Sequence, residues 1–115
     1  MNTSKEKLSE WHIISLEGKF VIKQLMKIRK ILTEIEIKEC SPKIAFDLSK
    51  TSYLDSSAIT AMLNLRKRLL PKNGRFVLFG PNEDILDILS IVGFDKLIPV
   101  YSSLETFIKE NLDKN

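Results

Sequence analysis

The sequence predicts an α/β domain in which a mostly parallel sheet of four to five strands is flanked by about four helices. Apolar strand-like runs alternate with segments of helical periodicity after residue 43, which is typical of parallel strands joined by right-handed crossovers. The run Arg75–Phe79 is nearly all apolar, as expected of a strand that is covered on both faces. The chain has 115 residues, a length that suits a single domain with one core.

The first third of the chain contains one predicted strand and one predicted helix. Residues 1–10 are polar and charged, and we expect a flexible N-terminal arm there, with the folded domain over 11–112. Trp11–Leu16 is a β-prone run that the turn-like Glu17-Gly18-Lys19 closes. From Phe20 to about Glu39 the apolar residues have helical spacing, with Ile28, Ile31, Leu32 and Ile35 on one side.

The middle of the chain contains a predicted strand, a helix and another strand, in that order. Lys43–Leu48 is the second predicted strand, and a loop follows at 49–52. Apolar residues at helical spacing predict a helix from Ile59 to Leu70, and Pro71-Lys72-Asn73-Gly74 is a strong turn sequence. Arg75–Phe79 is the third predicted strand.

The last third adds two helices and an edge strand. Glu83–Leu89 has an acidic first turn, and Gly93 is the natural C-terminal stop of that helix. Lys96–Val100 is predicted as a last short strand at the sheet edge, because Pro99 cannot donate a backbone hydrogen bond. Serines at 102 and 103 are expected to cap a final helix.

The residue inventory provides no catalytic centre. His12 is the single histidine and is expected to be a partly exposed strand residue, and Cys40 is the single cysteine. Glycine-rich phosphate loops and the Gly-x-Ser-x-Gly nucleophile elbow are absent. Asp47 and Asp55 are a pair of carboxylates without an evident third metal ligand. We therefore expect a protein that is not an enzyme and that has no metal or cofactor.

Charge and hydropathy narrow the classes of partner. The net charge is +3, and the basic run Arg66–Arg75 contains no acidic residue. Because no aromatic residue is interleaved with these cations, we expect no direct nucleic-acid binding and interpret them as solvated charges near a helix C-terminus. No apolar run approaches the ~20 residues of a membrane span, and residues 1–7 lack the apolar core of a signal peptide. We expect a cytoplasmic protein without membrane insertion.

The most informative segment is Asp55-Ser56-Ser57, which lies between an apolar run and a helix. Helix N-termini present unpaired backbone N–H groups and a partial positive charge, which suit a capping side chain or an added phosphate. Asp55 or Ser56 is the expected N-cap, with Ser57 and Ala58 in the first turn. A serine here is either an ordinary cap or a phosphorylation site.

Several segments resemble STAS domains, in particular bacterial anti-sigma-factor antagonists, over roughly residues 11 to 110. A strand ending in Phe46-Asp47-Leu48-Ser49 is followed by Tyr53-Leu54-Asp55-Ser56-Ser57-Ala58-Ile59, which is similar to the family's Asp-Ser-Ser/Thr-Gly-Leu-Gly segment at a helix start. Arg75–Gly80 resembles the family's next strand, and 92–105 its closing segment.

The resemblance implies a regulatory cycle. It makes Ser56 the residue that is phosphorylated by a partner anti-sigma factor, itself a serine kinase, and dephosphorylated by a phosphatase. The unphosphorylated protein would bind the kinase and free the sigma factor. The supporting or partner-binding residues implied are Asp55, Ser57, Ala58, Ile59 and Thr60, with Ala58 and Thr60 standing where the family usually has glycine.

Two other functions stay open from the sequence. A STAS-like subunit of a membrane transport complex, such as one that binds the ATPase of an ABC-type lipid transporter, would use the same helix as a constitutive docking face. Ala58, Ala61 and Met62 would then pack against a partner helix, and the basic run would face an acidic partner. Nucleotide binding by the domain itself is the third alternative, which no phosphate-binding loop supports.

Overall fold

The computed structural model describes residues 2–112, which form a mixed sheet with helices on both faces. The strands are β1 (Asn2–Leu8), β2 (Trp11–Phe20), β3 (Lys43–Asp47), β4 (Thr51–Leu54), β5 (Arg75–Phe79) and β6 (Val100–Tyr101). The helices are α1 (Leu25–Lys38), α2 (Ser56–Leu69), α3 (Glu83–Ile91) and α4 (Leu104–Asn111). The predicted α/β class is confirmed. The sheet of the described residues has six strands, where four to five were expected.

The long strand β2 organises the sheet. The strand order is β1-β2-β3-β5-β6, and β4 pairs with the far end of β2. All pairs are parallel except β1 with β2. The register of β2 shifts between Gly18 and Lys19, where Gly18 has a φ of 97°. Strand β2 therefore leaves β3 after Ser15 and pairs with β4 instead, which brings the start of α2 beside the end of β2.

The prediction of a flexible arm at residues 1–10 is wrong for its described part, since Asn2–Leu8 is strand β1. It pairs antiparallel with β2 along its whole length, from Asn2 opposite Glu17 to Leu8 opposite Trp11. Most of its side chains are exposed, so backbone hydrogen bonds rather than apolar burial hold it. A polar edge strand of this kind leaves no hydrophobic pattern in the sequence.

Other boundaries also differ from prediction. Strand β2 continues through the predicted turn at 17–19 as far as Phe20, so the helix predicted from Phe20 begins only at Leu25. Strand β4 begins inside the predicted loop, where the buried Thr51 donates its hydroxyl to the Leu16 carbonyl at 2.6 Å. The predicted strand Lys96–Val100 is wrong for most of its length. The N–H groups of Leu97 and Ile98 both donate to the Phe94 carbonyl, which makes a turn, and the strand that follows has two residues.

The core has two parts, one on each face of the sheet. The larger part packs α1, α2 and α3 against the sheet through alternate strand residues such as Ile14, Phe46 and Leu78. The smaller part lies under α4, where the fully buried Phe107 contacts the rings of Trp11 and Phe79. Helices α1 and α2 therefore lie side by side on one face, and their N-termini frame the candidate site.

Candidate functional site

Asp55 is the N-cap of α2 and connects it to the segment before α1. Its Oδ1 accepts hydrogen bonds from the Ala58 N–H at 2.9 Å and from the Ser57 hydroxyl at 2.5 Å. Its Oδ2 accepts from the Ile22 N–H at 3.2 Å, and its own N–H donates to the Phe20 carbonyl. Of the two caps that the sequence allowed, the structure has Asp55.

These donors favour the charged form of the carboxyl group. The Ser57 hydroxyl has the largest effect and the Ala58 N–H the next, and together with the Ile22 N–H they hold the pKa of Asp55 below its ordinary value. The negative charge also lies at the positive end of the α2 dipole. Asp55 is therefore an ionised structural residue at neutral pH, with its oxygens engaged.

The two adjacent serines have different environments. The Ser57 side chain is half-buried and its hydroxyl donates to Asp55. The Ser56 side chain is exposed, and its hydroxyl has no hydrogen-bond partner among residues 2–112. A hydroxyl that is free and exposed is accessible to an external reagent, whereas the Ser57 hydroxyl must first break its bond to a carboxylate.

The next three residues point in different directions around the first turns of α2. Ala58 is fully buried in the larger core and presents no surface to a partner. Ile59 is half-buried and packs against that core, and Thr60 is exposed. The resemblance implied Ala58 as a supporting or partner-binding residue. Its side chain packs in the core, so it supports the position of α2 from inside the domain.

A groove between α1 and α2 begins at this site. Its volume is about 450 Å³, and Ser56, Ser57 and Thr60 line it together with apolar residues of both helices. Two arginines, Arg29 of α1 and Arg68 of α2, also line it. The apolar residues of the lining are Leu25, Ile28, Leu32 and Ala61.

The outer face of α1 and the turn that precedes it carry exposed apolar side chains. Met26 is 85% exposed, and Ile22, whose N–H contacts Asp55, is 66% exposed. The sequence pattern places Ile28, Ile31, Leu32 and Ile35 on one side of the helix and does not identify Ile22 or Met26 as surface residues. Their exposure follows from helix orientation, which the pairing of Ile28, Leu32 and Ile35 with the core determines.

The cations of the basic run Arg66–Arg75 are mostly exposed, as the sequence predicts, and most of them also have partners within the domain. Arg68 donates to both carboxylate oxygens of Glu36 on α1, at 2.8 and 3.2 Å. Arg66 donates to the Leu97 carbonyl, and Lys72 to the Glu36 carbonyl. The guanidinium carbon of Arg75 lies 5.6 Å from the Trp11 ring centroid. The run therefore joins elements of the domain to one another.

Residues that the sequence singled out for chemistry have structural partners here. Asp47 accepts from the Ser15 hydroxyl and the Ser49 N–H. His12 is buried, contrary to expectation, and its Nε2 bonds to the Glu39 carboxylate across 27 positions of sequence. Residues 2–112 contain no cluster of three or more His, Cys, Asp or Glu side chains that could hold a metal ion. Over the same part of the chain, no helix combines the length and hydropathy of a membrane span.

Comparison with known proteins agrees with this architecture. The chain is 29% identical over 68 residues to a protein of Thermotoga neapolitana that is provisionally named an anti-sigma factor antagonist, and the match covers 59% of this chain and 60% of that relative. The crystal structure of a similarly named protein of Thermotoga maritima superposes with a TM-score of 0.85 at 21% identity, over 94% of this chain and 92% of the other. The phosphorylated form of the Bacillus cell fate determinant SpoIIAA superposes with a TM-score of 0.75 at 19% identity, over 95% and 98% of the two chains.

These structural similarities establish the fold, and the family follows from the sequence itself. The model of the STAS domain family matches residues 2–107, which include β1 and every element up to the middle of α4. The match therefore covers nearly all of the described chain and includes the segment that begins α2. The chain belongs to the STAS domain family.

Proposed function

We propose that this protein is an anti-sigma-factor antagonist that binds an anti-sigma factor through the start of α2 and the adjacent α1–α2 groove. The observation that carries the proposal is the free, exposed hydroxyl of Ser56 beside the engaged hydroxyl of Ser57. Relatives named as anti-sigma factor antagonists support the same role. The protein acts by binding, as a cytoplasmic regulator without a catalytic centre of its own.

In this proposal the partner is a serine kinase that uses ATP. The Ser56 Oγ attacks the γ-phosphorus of ATP, ADP leaves, and the hydroxyl proton passes to a base on the kinase. A phosphatase reverses the change by hydrolysis, which restores the hydroxyl and releases inorganic phosphate. The phosphate adds about −1.5 to −2 charges at the docking face while leaving the Asp55 cap in place. Binding is lost because a strongly hydrated anion would have to be buried in the interface.

The docking-subunit alternative has little support from the structure. Ala58 and Met62, which would contact a partner helix, are buried in the domain's own core. The basic run that would face an acidic partner is largely engaged within the domain. Only Ala61 of the three small or flexible residues lines a surface groove.

The test is a kinase assay with anti-sigma factors from the source organism. We expect ATP-dependent addition of one phosphoryl group, measured by intact mass, to the native protein and to Ser57→Ala, and no addition to Ser56→Ala. Calorimetric titration should show at least about tenfold weaker binding of the phosphorylated protein, which corresponds to 1.4 kcal/mol. Binding of an anti-sigma factor without phosphorylation at Ser56 would refute the switch, and no binding to any of them would refute the proposed role.

A further inference from the structure

The α1–α2 groove brings an unpaired guanidinium to the same surface as Ser56. Both Arg29 and Arg68 line this groove, but Arg68 is held by its two bonds to Glu36. The guanidinium of Arg29 has no ion-pair or hydrogen-bond partner among residues 2–112, and the side chain is exposed. Among the described residues that line this groove, Arg29 is therefore the unpaired cation and Ser56 is an exposed hydroxyl without a hydrogen-bond partner.

Two contacts fix how the helices lie beside each other. Asp55 meets Ile22 at the N-terminal ends, and Arg68 meets Glu36 near the C-terminal ends, at sequence separations of 33 and 32. The helices are therefore parallel, and Ser56 is level with the residues just before α1. Arg29 lies five or six residues further along, about 8–9 Å at 1.5 Å per residue.

Arg29 lines the groove that contains Ser56 and also a second cavity with Thr33 and Glu36 further along α1. Because side chains in α-helices lean toward the helix N-terminus, rotamers of Arg29 that extend toward Ser56 are favoured ones. A phosphoryl group on Ser56 would add three oxygens outside the helix. Since both residues line one groove, we expect the guanidinium to reach the phosphate by rotamer changes of the two side chains, without movement of either helix.

The electrostatic surroundings favour the same contact. The segment from Phe20 to Thr33 contains Lys23, Lys27, Arg29 and Lys30 and no acidic residue. The carboxylate of Asp55 has the opposite effect on a phosphate, but its oxygens are engaged by Ser57, Ala58 and Ile22. Among the nearby cations, arginine alone offers a planar, two-pronged donor set that matches phosphate oxygens.

We propose that Arg29 binds the phosphate of phosphorylated Ser56 within the same chain and so holds it across the mouth of the α1–α2 groove. The proposal rests on Ser56 being the modified residue of the proposed function. Phosphorylation would then both add charge and cover the apolar lining formed by Leu25 and Ile28, which a partner would otherwise contact. An aspartate at position 56 is shorter and carries less charge, so it would reproduce the effect only weakly.

The experiment uses the full chain with phosphoserine installed at position 56 during synthesis, so that no kinase is needed. Titration followed by ³¹P NMR reports the second pKa of the phosphate, which is about 6 in an unperturbed phosphoserine. We expect Arg29→Gln to raise this pKa by about 0.5 or more, because an opposite charge favours the dianion. Arg29→Lys should give a smaller rise, and the difference should shrink at high salt.

The matched control is Lys30→Gln, which removes one positive charge from the neighbouring exposed position outside the groove. Equal effects of Arg29→Gln and Lys30→Gln would overturn the proposal, since they would mean general electrostatics without a specific contact. In the unphosphorylated chain Arg29→Gln should leave the thermal unfolding midpoint unchanged, which verifies the fold. If no kinase modifies Ser56, the proposed function fails, while this measurement still decides the contact.

Discussion

Alanine substitution of the two adjacent serines separates a structural hydroxyl from a free one. Ser57→Ala removes the 2.5 Å hydrogen bond to the Asp55 carboxylate, and Ser56→Ala removes no hydrogen bond within residues 2–112. The two changes delete the same atom type from neighbouring positions in the first turn of α2. Differences between them therefore report the environment of each hydroxyl.

The expected magnitudes follow from the contacts. A hydrogen bond to a charged acceptor contributes about 1.5–3 kcal/mol, and alanine gains up to about 0.7 kcal/mol over serine in helix propensity. Because Ser57 is only half-buried, we take the lower end and expect Ser57→Ala to lower the free energy of unfolding by about 1 kcal/mol. Ser56→Ala should leave that free energy unchanged or raise it by up to about 0.5 kcal/mol.

Urea unfolding measures the free energy of unfolding of the two variants. In thermal unfolding, the midpoint of Ser57→Ala should lie roughly 4 °C below that of Ser56→Ala. A second readout is the ¹³C-detected titration of the Asp55 carboxyl. Its pKa should rise in Ser57→Ala, since the hydroxyl is the strongest influence lowering it, and should be unchanged in Ser56→Ala. Equal destabilisation by the two substitutions, or a pKa change in Ser56→Ala, would refute the assignment of the free hydroxyl to Ser56.

Two further predictions concern the cap and the opposite face of the sheet. Asp55→Asn keeps a capping acceptor but removes the carboxyl group whose pKa the fold lowers. Below about pH 4 the chain with Asp55 binds more protons when unfolded than when folded, so its stability should fall with acid more steeply than that of the variant. Parallel curves of unfolding midpoint against pH for the two proteins would contradict this. Phe107→Ala should lower the free energy of unfolding by about 3–5 kcal/mol in urea, because the ring is fully buried between Trp11 and Phe79, while Phe107→Leu should cost much less.

The sequence predicts those elements whose apolar pattern coincides with their packing. Strand β5 has the predicted bounds because its residues are apolar almost throughout, and α3 is found where helical spacing places it. Helix α1 ends as predicted but begins at Leu25 rather than Phe20, which belongs to β2. Strand β1 leaves no such pattern, since its pairing with β2 depends on backbone groups that every sequence possesses. The extension of β2 to Phe20 depends on a register shift at Gly18 that allows pairing with β4.

The sequence predicts where the candidate site lies in the chain, but only part of its hydrogen-bond geometry. The order Asp55-Ser56-Ser57 at a helix start indicates a cap and a hydroxyl, but which hydroxyl is engaged depends on the orientation of the carboxylate. That orientation is set in part by the Ile22 N–H, 33 residues away in sequence. Arg29 had no sequence pattern to distinguish it from the other cations of α1, because its relevance comes from the alignment of two helices.

The two positions at which this chain departs from the family's glycines affect different properties. Ala58 is buried, so Ala58→Gly should lower the free energy of unfolding by about 1–2 kcal/mol through lost helix propensity and a lost buried methyl group. It should leave kcat/KM for phosphorylation of Ser56 unchanged, because no part of the side chain reaches the surface.

Thr60 is the position that an approaching kinase would meet, since it is exposed and lines the groove beside Ser56. With a kinase whose own antagonist has glycine there, Thr60→Ala should raise kcat/KM for phosphorylation, because the branched side chain is removed and the helix is not weakened, alanine having the higher helix propensity. Steady-state phosphorylation of the native chain, Thr60→Ala and Ala58→Gly gives the comparison. A rate that responds to Ala58→Gly and not to Thr60→Ala would mean that the kinase senses the core of α2 rather than its exposed face, and the docking surface assigned to the α1–α2 groove would be wrong.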